Sequence, residues 1–138
     1  MSAENKCSGT PLPRKLGIKP GARLLLLGAP DRFEDATLGA LPDGVRVGRR
    51  ARGMADVIVS FHVERAELAR RIPKLRALME PAAGLWIAWP KRASGVATNL
   101  TEDVVRELAL ANALVDNKVA AIDSTWSGLR LVIRLKDR

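Results

Sequence analysis

Three tryptophans, one histidine and a surplus of guanidinium groups are what this chain offers for chemistry. Arg49, Arg50 and Arg52 fall in "VGRRAR", Lys91 and Arg92 follow Trp89 in "WPKRASG", and Trp126 lies in "DSTWSG". Arginine forks grip phosphate at two points, and bases stack on aromatic rings for about 1 to 3 kcal/mol each. Such a set suits a nucleotide or another anionic small molecule. A formal charge of +8 and a pI near 10.6 attract the same class of partner. Nucleic acid has thinner support. The basic run "ERAELARRIPKLR" is interrupted by Glu64 and Glu67, and no helix-turn-helix or aromatic sheet motif accompanies it. The alternative reading makes the tryptophans core residues and the cations a solvated, solubilising rim.

His62 follows an apolar run at a strand end, where a general base can be placed, yet no nucleophile beside it can be read from the sequence. The competing role is that of a satisfied structural histidine. One histidine and one cysteine, Cys7, leave only carboxylates as metal ligands, so no metal is expected. Ser94 and Ser127 lie outside any G-x-S-x-G elbow. A lone cysteine cannot form an internal disulfide, which fits a reducing compartment. No apolar signal core opens the chain, and Leu24 to Leu27 is far shorter than the ~20 residues of a membrane span. The expectation is a cytoplasmic protein with no membrane partner and an oligomeric state that the sequence leaves open.

These residues need elements to position them, and 138 residues amount to about one domain. Residues 1–13 carry no periodicity and read as a flexible lead-in, leaving 14–138 as a single domain. "RLLLL" is apolar at every position but its first, the mark of a strand buried on both faces. In "PDRFEDATLG", Asp31 and Glu34 have the spacing of a helix capping box and Gly39 supplies a stop. "VRVG" and "ADVIVSFHV" read as further strands. Leu68, Ile72, Leu75 and Met79 mark a helical face that Pro73 should kink or divide. "GLWIAWP" is another strand, and Thr101 caps the helix of "TEDVVRELALAN". "LVDNKVAAID" and "GLRLVIR" are too close for a crossover and should form an antiparallel hairpin. The order predicts an α/β fold of three layers, Rossmann-like, with a mainly parallel sheet and one antiparallel strand at its end.

In such sheets ligands lie beyond the carboxyl ends of the parallel strands. Those ends supply Gly28 and Arg32, then Arg49 and Arg50, then His62, then Trp89, Lys91, Arg92 and Ser94. The hairpin turn adds Asp123 and Trp126. These are the ligand-binding candidates. No residue is assigned a catalytic role.

The order of elements, "LMEPAAGLWIAWP" and the closing hairpin resemble a shortened class I methyltransferase fold. More closely, "KLGIKPG", "LLLGAP", "WPKRASG", "LTEDVVRE", "LVDNKVAAID" and "TWSGLRLVIR" resemble a bacterial family known only as a domain of unknown function. The resemblance implies a fold and transfers no activity. In methyltransferase-like and dinucleotide folds, glycines after the first strand let the backbone approach the ligand. Here "GAPDRF" keeps Gly28 alone, Pro30 lacks an amide donor and Phe33 adds bulk. Arginines stand where an acid usually receives the ribose hydroxyls. Both departures disfavour S-adenosylmethionine as cofactor. The leading expectation is a non-catalytic binding or regulatory module with a basic crevice for an anion. A divergent methyltransferase and a protein-interaction subunit are the alternatives.

Overall fold

The computed structural model describes residues 9–138. Cys7 and the first part of the expected lead-in lie outside them. Its last two residues belong to the fold instead: a helical turn, α1 (Leu12–Lys15), begins there with Pro13 buried. The pyrrolidine ring presets the helical torsion and lacks an N–H that the first turn could not have used.

Six strands form one sheet: β1 (Arg23–Leu27), β2 (Arg46–Gly48), β3 (Ala55–Phe61), β4 (Met79–Pro90), β5 (Leu114–Ala121) and β6 (Trp126–Ile133), in the order β2-β1-β3-β4-β6-β5. The first four pair in parallel. β6 runs antiparallel to both its neighbours. The expected antiparallel strand is therefore present, but it is interior, and β5 takes the edge. Burial explains the swap: Leu129, Leu131 and Ile133 of β6 are buried, whereas Asn117, Lys118 and Val119 of β5 are exposed. A polar strand is tolerated at an edge, where its outer backbone groups meet water.

Both faces of the sheet are covered, as the apolar runs require. Leu25 and Leu27 face a core completed by α2 (Arg65–Ala77) and α3 (Glu102–Leu110), while Leu24 and Leu26 face Leu16, Phe33 and Leu38 on the other side. Trp86, fully buried, donates its indole N–H to the Leu16 carbonyl at 3.0 Å and so ties β4 to the segment after α1.

Helix ends follow local chemistry, with two departures from expectation. Thr101 caps α3 by accepting from Val104 N–H at 3.2 Å, and Glu64 caps α2 by accepting from Ala66 N–H. The helix α2 runs unbroken through Pro73. Pro73 and Ala69, whose carbonyl loses its partner, are both exposed, so water replaces the lost bond. The capping box at Asp31 does not form. Phe33–Leu38 is a short π-helical turn preceded by Arg32 in the left-handed region (φ 64°), with no side-chain cap. Gly39 ends it at φ 77°, as expected.

Candidate functional site

β1 ends at Leu27, and Gly28 turns the chain at φ +70°, a conformation that costs an L side chain about 1 to 2 kcal/mol. A Cβ there would also lie 3.4 Å from the Phe61 carbonyl oxygen. Over this turn opens a crevice of about 550 Å³, lined by Gly28, Asp31, Arg32, Glu34, Asp35 and Arg49 among others. Phe33 does not obstruct it. The ring is buried and packs edge-on against Phe61 at 5.1 Å, which itself meets Trp126 at 5.0 Å. The bulk expected in the crevice is its floor.

The crevice is not basic. Asp31, Glu34 and Asp35 against Arg32 and Arg49 leave three negative and two positive groups, a formal charge of −1. Arg49 forms a two-point pair with Glu34, Nε to Oε2 at 2.6 Å and Nη2 to Oε1 at 2.5 Å. The guanidinium holds the Glu34 carboxyl below its usual range, and the carboxylate raises the Arg49 pKa in turn. Sequence reading found no acid after β2. The π-helical turn delivers one there, and each Glu34 oxygen keeps a lone pair for a further donor.

On the other side of Gly28 a cavity of about 260 Å³ is lined by Leu27, Ser60, His62, Glu67 and Arg71. His62 is buried and bridges two partners. Its Nε2 lies 2.7 Å from Ser60 Oγ, and its Nδ1 lies 2.6 Å from Glu67 Oε1. Burial depresses the His62 pKa more than the Glu67 carboxylate restores it, with Arg71 adding to the depression. The ring is therefore neutral at neutral pH. An ionised carboxylate only accepts, so Nδ1 carries the hydrogen, Nε2 has the free lone pair and Ser60 donates to it. Because the Ser60 hydroxyl occupies Nε2, this tautomer can take a proton only through Ser60, passing charge toward half-exposed Glu67. Ser60 and Glu67 were missed in the sequence. The signal was the two-residue spacing of Ser60 and His62, which puts them on one face of a strand, followed by an acid in the first turn of the next helix.

A third opening of about 500 Å³ lies beyond β4, lined by Trp89, Lys91, Arg92, Thr101, Glu102 and Ser127 among others. The cationic candidates thus divide. Arg32 and Arg49 belong to the first crevice, Lys91 and Arg92 to this one, and Arg50 is exposed and lines neither. Trp89 is buried and contributes one wall, while Trp126 is half-buried over Phe61. Ser94 and Asp123 are occupied by loop geometry. The Ser94 hydroxyl donates to the Lys91 carbonyl and accepts from Val96 N–H. Asp123 Oδ1 accepts from the Thr125 and Trp126 amides at 2.8 Å. Asp116, at the start of β5, binds Arg106 Nε of α3 at 3.2 Å. Among the described residues no group of three histidine, cysteine or acidic side chains is placed to hold a metal. None of their helices is long and apolar enough to cross a membrane.

No family model matches the sequence, and neither does any curated protein. Solved structures do match. A SAM-dependent methyltransferase from Aquifex aeolicus is similar at TM-score 0.59 and 14% identity, over 88% of this chain and 87% of that one. Magnesium protoporphyrin IX methyltransferase from Synechocystis PCC 6803, with bound SAH, is similar at TM-score 0.55 and 14% identity over 83% and 75%. Its form with bound SAM is similar at TM-score 0.56 and 12% identity over 89% and 74%. The fold is Rossmann-like of the methyltransferase type.

Proposed function

We propose that the crevice over Gly28 takes S-adenosylmethionine and that the protein is a divergent methyltransferase. The observation that carries this reading is the mixed charge of the crevice, three carboxylates and two arginines, at the position where an open α/β sheet holds its ligand. The residues fit the group. S-adenosylmethionine brings an electrophilic methyl on a sulfonium, together with an ammonium and a carboxylate, so its net charge of about +1 complements a crevice of −1. Arg32, which has no side-chain partner among the described residues, can meet the carboxylate, Asp31 and Asp35 the cationic groups, and Glu34 a hydroxyl. Pro30 removes one amide donor from the turn, and these side chains stand in for it. His62, neutral and backed by Glu67, accepts through the Ser60 hydroxyl the proton that an acceptor hydroxyl or amine must lose. Structural neighbours that bind SAM or SAH support the same choice.

A second reading keeps the notion of a non-catalytic module for an anionic ligand such as a nucleotide. Arg32 in the Gly28 crevice and Lys91 with Arg92 beyond β4 favour it, and the resemblance to a bacterial family of unknown function is compatible with either. Isothermal titration decides between them. Micromolar binding of S-adenosylmethionine or S-adenosylhomocysteine, weakened by Asp31→Arg, is the expected result. Binding of nucleotides alone, strengthened by the same substitution, would overturn it in favour of the module. No binding of either, with a stable complex in size-exclusion chromatography, would instead support the interaction subunit.

A further inference from the structure

A cluster of positive charge lies apart from the openings at the carboxyl edge. A cavity of about 290 Å³ lies between α1, the loop after it and the β5–β6 pair, lined by Arg14, Lys15, Lys19, Asn117, Lys118 and Arg130. Five of these are cations, and no aspartate or glutamate among the described residues lines it. Asp56, in the adjoining cavity, accepts from the Arg23 amide at 2.8 Å. We infer that this cavity is a phosphate-binding site centred on Arg130.

Three features of the fold build it. Lys118 sits directly across from Arg130 in the β5–β6 ladder. Like charges in that position repel and lower stability unless something offsets them. The ladder slips between Asp116 and Lys118, so Asn117 is a bulge, a device that re-aims neighbouring side chains. Gly84 of β4 lies under the guanidinium, and a Cβ there would stand 2.8 Å from both Cζ and Nη2 of Arg130. The glycine is a seat for the arginine. The lysines also fix the walls. Lys15 Nζ donates to the Ala121 carbonyl at 3.3 Å and Lys118 Nζ to the Lys15 carbonyl at 3.1 Å, and each ammonium retains donors for a ligand. Burial and nearby Arg138 depress the Arg130 pKa, the cost of a cation awaiting a counter-charge.

A tetrahedral phosphate offers oxygens to a planar fork and to point-charge ammoniums at once, which matches one arginine ringed by lysines. The site is independent of the methyl-transfer reading, since it shares no residue with the Gly28 crevice. The same phosphate chemistry is available from a free phosphorylated molecule or from a nucleic-acid backbone.

The test uses the full chain with inorganic pyrophosphate in a thermal-shift and titration series. Wild type is expected to be stabilised, and Arg130→Gln and Lys118→Gln to weaken binding by about tenfold or more. Arg65→Gln, which removes an equal charge on α2, is the control and should bind as wild type does. No stabilisation of wild type, or equal loss in all three variants, would overturn the site, the latter because it marks diffuse attraction. A labelled single-stranded oligonucleotide supplies the second arm. Displacement by pyrophosphate together with loss in Arg130→Gln identifies backbone phosphates as the source, whereas undiminished oligonucleotide binding in that variant leaves the free anion. Titration of S-adenosylmethionine into Arg130→Gln keeps the two proposals apart, because its affinity should not change.

Discussion

Gly28 and His62 carry the most consequence per residue. Gly28→Val forces a branched side chain into φ +70° and toward the Phe61 carbonyl. Chemical denaturation should show a loss of about 1 to 3 kcal/mol, and titration a loss of S-adenosylmethionine affinity. For His62 the pKa lies below its unfolded value near 6.5. The unfolded chain therefore binds the proton more readily, and stability should be full above about pH 6.5 and fall as the pH drops below it. His62→Gln should flatten that acid limb in a series of denaturation curves; an unchanged limb would assign it to other groups. In a methyl-transfer assay the same variant should lower kcat by about 10²- to 10⁴-fold with little change in KM for the methyl donor.

At the level of elements, the caps and the β4 anchor make separable contributions. Thr101→Ala removes the acceptor for Val104 N–H, and α3 should lose about 1 kcal/mol. Trp86→Phe deletes the bond to the Leu16 carbonyl inside the core, and a larger loss of about 2 to 4 kcal/mol is expected, because a buried acceptor is orphaned and volume is lost as well. Strand and helix assignments were legible where the pattern was local, as in "RLLLL", the Thr101 cap and the closing hairpin. The turn after Gly28 was not. Asp31 and Glu34 satisfy a capping-box spacing, but Phe33 and Leu38 are drawn under the sheet and the backbone winds as a π-helical turn to place them there. Tertiary burial of two side chains outweighed one capping bond.

Across the whole molecule the order of strands sets a gradient of protection. β3 and β4 are interior, β3 buried but for Asp56 and β4 buried from Ala83 onward, whereas β2 is a three-residue edge and β5 a polar one. Hydrogen exchange should therefore be slowest in β3 and β4 and fastest in β2 and β5.

Composition and periodicity alone determined the alternating elements, the doubly covered sheet and the ring of candidate residues at its carboxyl edge, because each depends on local patterning. Charge placement needed the tertiary structure. Coulombic pairing depends on distances that chain order does not encode, so it was folding that set Glu34 against Arg49, joined Ser60 and Glu67 through His62, and gathered five cations, Arg130 among them, apart from the Gly28 crevice.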